Sequence, residues 1–173
     1  MPQQVCTLGL WHLGTVTSAC LAELGCDVTG FDRDAARIEA LNRGVPPIYE
    51  PGLKELVQKG LESGRLRFTT NLETAVHAAD HILITYDTPV NERDEVDLTE
   101  IFDTVRRMAP WVRENATVVV HSQVPVGTCE QLEATLQAAQ PGLDSSLVCF
   151  PENLRLGQAI QRFLPPAMIV LGG

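Results

Sequence analysis

Strand-like and helix-like segments alternate along the whole chain, and this alternation limits the possible fold more than any other feature of the sequence. The apolar run from Val5 to Leu8 is followed by apolar residues at helical spacing, and a second strand-like run ends at Phe31. The pattern continues to about six strands, with a short helix near 158–163 and a short strand near 168–171. We therefore predict an α/β fold with a doubly wound, mainly parallel sheet.

The turn between the first strand and the first helix carries two of the three glycines of a dinucleotide-binding fingerprint. Gly9 and Gly14 fit the outer positions of a G-x-G-x-x-G turn, and Asp32 follows Gly9 by 32 − 9 = 23 residues at the end of the second strand. A carboxylate there can accept both ribose hydroxyls and repel a 2′-phosphate, which favours NAD over NADP. Trp11 takes the middle position, where a side chain should crowd the phosphates. The turn predicts a Rossmann-like NAD site.

Three further segments stand at the predicted carboxyl ends of strands, where open α/β sheets bind ligands. Thr88-Pro89 and Ser122-Gln123 are each compatible with a place beside a cofactor or with a simple turn. Glu152, after the sixth strand, is compatible with a general base or with an ordinary surface carboxylate. Because the carboxyl ends of parallel strands share one edge of the sheet, we expect these loops to converge on one crevice.

Length and composition restrict the class of protein. A chain of 173 residues suits a single domain, and no stretch rich in Gly, Ser or Pro divides it in two. The net charge of −9 disfavours nucleic acid as a partner, because phosphate neutralisation needs clustered Lys and Arg. No apolar run approaches the roughly 20 residues that span a bilayer. We expect a protein whose partner is a small molecule or another protein, and which contacts neither nucleic acid nor membrane.

The cysteines indicate a reducing compartment. They are five in number and widely spaced, and most lie in apolar segments where free thiols pack as small hydrophobic groups. The N-terminal residues lack the pattern of a signal peptide. No C-x-x-C pair occurs, and the histidines share no ligand-like spacing, so we expect no metal site. These features predict a reduced, cytoplasmic protein.

The strand-end motifs together resemble the N-terminal domain of the UDP-glucose/GDP-mannose dehydrogenase family, whose members use NAD to oxidise the C6 alcohol of a nucleotide sugar to the uronic acid. The resemblance covers essentially the whole chain. The most specific motifs are Glu50-Pro51-Gly52-Leu53 and Pro151-Glu152, and the others are the opening turn, Gly30-Phe31-Asp32, Thr88-Pro89-Val90 and Ser122-Gln123-Val124-Pro125.

The resemblance implies roles for individual residues. The NAD site would be formed by Gly9, Trp11, His12, Leu13, Asp32, Arg33, Thr88, Pro89 and Ser122. Glu152 would take the place of the carboxylate that orients or deprotonates water, and Gln123 stands where the family usually has threonine. Leu154 and Arg155 would lie along the path of the nucleotide sugar, together with Glu152. Trp11 replaces the second glycine, Asn153 an aromatic residue, and Leu156 a second glutamate.

Two functions therefore remain at this point. The first is the NAD-binding domain of a nucleotide-sugar 6-dehydrogenase, a single domain over 1–173, without turnover of its own because the family's reactive cysteine and most of its nucleotide pocket belong to central and C-terminal domains. Its partner would be a nucleotide sugar, with UDP-sugars favoured, and the protein could form a homodimer. The second is a degenerate Rossmann module with impaired NAD binding that serves in interaction or regulation.

Overall fold

A computed structural model describes residues 1–90, 92–93, 95–151, 154–165 and 168–172. Within them the strands are β1 Gln4–Leu8, β2 Asp27–Phe31, β3 Leu66–Thr69, β4 His81–Ile84, β5 Thr117–Val120 and β6 Ser146–Cys149. The helices are α1 His12–Glu23, α2 Ala35–Asn42, α3 Leu53–Glu62, α4 Leu72–Val76, α5 Thr99–Met108, α6 Thr128–Ala139 and α7 Ala159–Phe163. A 3₁₀ turn, Ala109–Trp111, follows α5.

The six strands form one sheet in the order β3-β2-β1-β4-β5-β6, and each neighbouring pair is parallel. This confirms the predicted fold, since it is the strand order of dinucleotide-binding Rossmann domains. The chain crosses from one half of the sheet to the other in the connection from β3 to β4, so the strand order reverses between the neighbouring strands β1 and β4. The loops after these two strands therefore border the crevice where such sheets bind ligands.

Helices cover both faces of the sheet, as its alternating side chains require. Leu8 and Ile84 belong to a buried cluster with residues of α4, α5 and α6. Val5 and Leu83 belong to a second cluster, which contains residues of α1, α2, α3 and α7. The sheet is therefore doubly wound, and its ligand-binding edge is held by a core on each side.

The predicted C-terminal helix forms as α7, but the predicted strand near 168–171 is wrong. These residues pair with no strand, and the side chains of Met168 and Leu171 are 74% and 64% exposed. Only Gly172 pairs, through two hydrogen bonds with the backbone of Cys149. An apolar run satisfies its backbone as a strand only when a neighbouring strand is available, and sequence periodicity does not report that.

The cysteines differ from the prediction of a reduced protein. Cys129 and Cys149 form a disulfide, with Cα atoms 6.6 Å apart, whereas Cys6, Cys20 and Cys26 are free. Cys129 lies in the first turn of α6 and Cys149 ends β6. In a parallel sheet, the helix that connects two strands begins at the same edge of the sheet at which the second strand ends. The start of α6 and the end of β6 therefore lie side by side, which brings together two cysteines that are 20 residues apart in sequence.

Candidate functional site

The opening turn needs both of its glycines. Gly9 has φ +93°, and a Cβ atom on it would lie 2.6 Å from the ring of Tyr86. A Cβ atom on Gly14 would lie 1.8 Å from the carbonyl oxygen of Gly9, so the first turn of α1 packs directly on the end of β1. This close contact is what the first and third glycines of the fingerprint provide.

The N-terminus of α1 is open toward the crevice. Trp11 occupies the N-cap position and makes no side-chain hydrogen bond to the helix, and the first turn contains no acidic residue. The first backbone N–H groups of a helix have no acceptor within the helix, and the helix dipole adds partial positive charge there. His12 and Leu13 belong to this turn. It therefore offers amide donors for a pyrophosphate.

Asp32 is buried at the end of β2 and already accepts three hydrogen bonds. Its Oδ2 accepts from the backbone N–H of Leu10 at 2.8 Å and from Nη1 of Arg37 at 2.6 Å, and its Oδ1 accepts from the N–H of Asp34 at 2.9 Å. A carboxylate offers about four acceptor positions, so Oδ1 keeps about one. The geometry thus leaves room for one ribose hydroxyl, fewer than the two expected from the sequence.

Trp11 fits its position without glycine geometry. Its φ is −81°, which any residue adopts, and its side chain is 42% exposed. The guanidinium carbon of Arg37 lies 5.2 Å from the centre of the indole, within the range of a cation–π contact. Arg37 therefore links the indole to the Asp32 carboxylate. Sequence reasoning missed Arg37; the signal was its place in the first turn of α2, which Asp34 caps.

These groups line a cavity of about 380 Å³ at the crossover between β1 and β4. Its walls comprise Gly9, Leu10, Trp11, Asp32, Arg37, Thr85, Tyr86, Asp87, Pro89 and Glu100. Asp87 is exposed as a residue, yet the cavity wall removes its carboxyl partly from water. This desolvation raises the pKa of Asp87 above its usual value, although the charges of His12 and Arg37 act to lower it.

Two residues expected at the cofactor site have other contacts. Arg33 is exposed and makes ion pairs with Asp103 and Glu100 of α5. His12 places Nε2 3.1 Å from a carboxylate oxygen of Glu50. Neither residue is among those lining the cavity.

Glu50 has a structural role that its sequence motif did not reveal. Its carboxylate is buried and accepts hydrogen bonds from the backbone N–H groups of Gly157 at 2.8 Å and Ala159 at 2.9 Å. Burial raises the pKa of Glu50, but these bonds and the contact with His12 outweigh it, so the net pKa is lowered. Glu50 therefore ties the loop after α2 to α7 and to the first turn of α1.

The loops after β4 and β5 meet as expected. Thr88 Oγ1 donates a hydrogen bond to the carbonyl of Gln123 at 2.7 Å, and Ser122 Oγ donates to the carbonyl of Tyr86 at 2.6 Å. A second cavity, of about 360 Å³, adjoins them and is bordered by Ser122, Pro125, Cys129, Cys149 and Pro151. Thr88, Ser122 and Gln123 thus form one cluster, of which Ser122 borders this second cavity.

The sequence-predicted residues after β6 are less completely placed. Glu152 lies outside the described residues. Leu154 packs partly buried against the core cluster of α1 and α7, and Arg155 is exposed. In the part of the chain that the structure describes, no helix is long and apolar enough to cross a membrane. Over the same residues, no three or more His, Cys, Asp or Glu side chains are grouped as metal ligands.

The fold and the crevice define a dinucleotide-binding α/β domain. The model of the NAD binding domain of the UDP-glucose/GDP-mannose dehydrogenase family matches residues 3–173, and the chain belongs to this family. NAD is therefore its cofactor, and the degenerate module is not favoured.

Curated relatives and solved structures agree. The chain is 39% identical over 170 residues to UDP-glucose 6-dehydrogenase of Rhizobium meliloti (strain 1021), and the match covers 98% of this chain and 39% of that protein. It is 34% identical to a GDP-mannose dehydrogenase from Pseudomonas aeruginosa, with a TM-score of 0.92 over 97% of this chain and 40% of that one. A UDP-glucose dehydrogenase from Pyrobaculum islandicum is 35% identical, with a TM-score of 0.93 over 99% and 41%. The chain thus spans about two fifths of the length of these relatives.

Proposed function

We propose that this domain serves a nucleotide-sugar 6-dehydrogenase that oxidises the C6 alcohol of a UDP-sugar, of the UDP-glucose type, to the uronic acid. The observation that carries the proposal is the pairing of the open N-terminus of α1 with the buried Asp32 across one cavity. The relatives that match over nearly all of this chain include several UDP-glucose 6-dehydrogenases. Bound NAD would supply the hydride acceptor for the reaction.

The residues divide into a cofactor set and a reaction set. The N–H groups of the first turn of α1, which includes His12 and Leu13, would hold the pyrophosphate, with Gly9 and Trp11 bordering it. Asp32 would accept one ribose hydroxyl, and Thr88, Pro89 and Ser122 would border the other half of the dinucleotide. Arg33 would act at the outer rim, beside α5.

The reaction set lies on the next two loops. Gln123 and Glu152 would orient water and move a proton at the reacting carbon, and Leu154 and Arg155 would contact the nucleotide sugar. The cluster of Thr88, Ser122 and Gln123 supports this division, because it joins the cofactor crevice to the neighbouring cavity.

We further propose that residues 1–173 act as one NAD-binding domain, in the cytoplasm, and that turnover needs the remaining domains of the family. A homodimer would be formed through those domains.

Intrinsic fluorescence provides the binding test. The chain contains two tryptophans, and in a Trp111→Phe background Trp11 reports from the wall of the cavity. We expect saturable quenching by NAD, weaker binding of NADP, and a Kd raised about tenfold or more by Asp32→Ala, since a hydrogen bond to a charged group contributes about 1.5–3 kcal/mol. Glu39→Ala, which removes an exposed carboxylate of α2 outside the cavity, is the matched control. No response to millimolar NAD in a folded protein would refute the site.

Turnover is tested separately. Mixed with NAD and UDP-glucose, the chain alone should give no rise in absorbance from NADH. A sustained UDP-glucose-dependent rise would contradict the need for further domains while leaving the NAD site intact.

A further inference from the structure

The two disulfide-bonded cysteines are next in sequence to the segments that carry the proposed reaction residues. Cys129 follows the loop 121–127, which carries Ser122 and Gln123, and Cys149 stands three residues before Glu152. Both sulfur-bearing residues are partly buried and border the cavity of about 360 Å³ that Ser122 also borders. We propose that Cys129 and Cys149 form a reversible thiol–disulfide exchange site for small disulfides, and that its oxidation restrains the loop before α6.

The chemistry of the other cysteines makes this pair the reactive one. Exchange requires a thiolate and access for the reagent. Burial raises the pKa of Cys6 and Cys20, that of Cys20 to about 12. Burial and the charge of Asp27 also raise the pKa of Cys26, although Arg65 opposes this. These three sulfurs therefore remain thiols, whereas Cys129 and Cys149 open onto a cavity that admits a small reagent.

The surroundings of the pair favour a cationic or neutral partner. Cys129 lies in the first turn of a 12-residue helix, where the aligned backbone dipoles favour an anionic sulfur. Glu130 and Glu133 border the same cavity and oppose a second negative charge. A cationic disulfide such as cystamine should therefore react faster than the anionic disulfide of glutathione.

The exchange balances in two steps. The thiolate of Cys129 attacks one sulfur of the small disulfide, forms a mixed disulfide and releases one thiolate. The thiolate of Cys149 then attacks the Cys129 sulfur, forms the internal disulfide and releases the second thiolate. Two cysteine thiols are oxidised by two electrons, one small disulfide is reduced to two thiols, and excess reduced thiol drives the same steps backward.

The start of the loop is held independently of the disulfide. His121 Nδ1 donates a hydrogen bond to the carbonyl of Phe150 at 2.7 Å, Ser122 is bonded to Tyr86, and Thr88 Oγ1 donates to the carbonyl of Gln123, so the first three residues of the loop are held in either redox state. Val126 is fully exposed. The disulfide holds the far end, because it joins the first turn of α6 to the end of β6. Its effect should therefore be confined to residues 124–130.

Thiol counting tests the exchange in the intact chain. The native protein is treated with cystamine or with millimolar reduced glutathione, then alkylated in denaturant, and the labelled thiols are counted by intact mass. Wild type should show three labelled thiols after cystamine and five after reduced glutathione. Cys129→Ser and Cys149→Ser should each show no internal bond, while Cys26→Ser, a free cysteine elsewhere, should form it normally. Five labelled thiols after cystamine, or a bond that reduced glutathione does not open in the native protein, would overturn the exchange.

Hydrogen exchange tests the restraint. Peptides covering 124–130 should exchange at least about threefold faster in the reduced protein and in Cys149→Ser than in the oxidised protein, with β1 and α1 unchanged. Equal exchange in both states would overturn the coupling to the loop. The proposal rests on the proposed function only in giving Gln123 and Glu152 their reaction roles. NAD titration fails or succeeds independently of the thiol count.

Discussion

Gly14→Ala should destabilise the domain although helix propensity favours it. In the interior of a helix, alanine is more favourable than glycine by about 1 kcal/mol. Here the added methyl group would meet backbone rather than solvent, with 1.8 Å to the Gly9 carbonyl oxygen and 2.6 Å to Thr85 Oγ1. Thr85 Oγ1 itself donates to the Gly9 carbonyl at 2.8 Å. The substitution therefore breaks a buried contact between β1, β4 and α1.

The size of the effect follows from how far the helix must retreat. A relaxed contact between a methyl carbon and a carbonyl oxygen is about 3.5 Å, so α1 must move by roughly 1.5–2 Å from the end of β1. Overpacking of a well-packed core costs about 1–3 kcal/mol, and the loss of the Thr85 hydrogen bond adds about 1 kcal/mol. After the gain in propensity, we expect a net loss of about 1–3 kcal/mol, equivalent to a fall in Tm of roughly 2–12 °C for a domain of this size.

The assay is urea unfolding followed by circular dichroism, with NAD titration of the folded variant. Gly60→Ala in α3 is the comparison variant, because a Cβ atom there meets the Cβ atom of Leu66 at 2.9 Å, a smaller overlap than the 1.8 Å contact at Gly14. We expect Gly60→Ala to cost less stability than Gly14→Ala and to leave NAD affinity unchanged. We expect Gly14→Ala to lose NAD affinity as well. A Gly14→Ala protein as stable as wild type would refute the close packing of the turn.

Two carboxylates give the remaining predictions. Glu50→Gln should cost about 2–4 kcal/mol at pH 7, because one amide oxygen cannot accept from both Gly157 and Ala159. Since the pKa of Glu50 is lowered in the folded protein, its stabilisation is complete above the ordinary pKa of 4.5 and is lost as the pH falls through the folded pKa. The urea midpoints of wild type and variant should therefore converge on acidification. A gap between the midpoints that does not change with pH would contradict this. Asp87→Asn should tighten NAD binding about threefold at pH 7, because the Asp87 carboxylate borders the cavity proposed to hold the pyrophosphate. Asp32 and Glu100 border the same cavity, and the charges of Arg37 and His12 act on Asp87. Because the pKa of Asp87 is raised, the affinity of wild type for NAD should rise toward acid pH, while that of the variant should not change. Tighter binding of NAD by wild type than by the variant at pH 7 would refute the repulsion between Asp87 and the phosphates.

The order of strands and the place of the crevice were predictable because they depend on local patterns. Buried parallel strands are continuous apolar runs, and the glycine turn with Asp32 marks the first βα unit. The failures occur where the outcome depends on a distant partner. Residues 168–171 are as apolar as a strand, but only Gly172 finds a backbone partner. Cys129 and Cys149 look like isolated thiols until the crossover places the start of α6 beside the end of β6.

Trp11 illustrates the same dependence within the site. Its φ is negative, so this position does not require the left-handed conformation that favours glycine. The direction of the indole depends on Arg37, which lies five residues beyond Asp32 and contacts both the ring and the carboxylate. Since a cation–π contact at an exposed site contributes only about 0.5–1 kcal/mol, the ion pair with the buried Asp32 is what positions Arg37, and the indole follows. Asp32, the carboxylate proposed to bind ribose, therefore also positions Arg37, the cation that contacts the indole in the cavity wall.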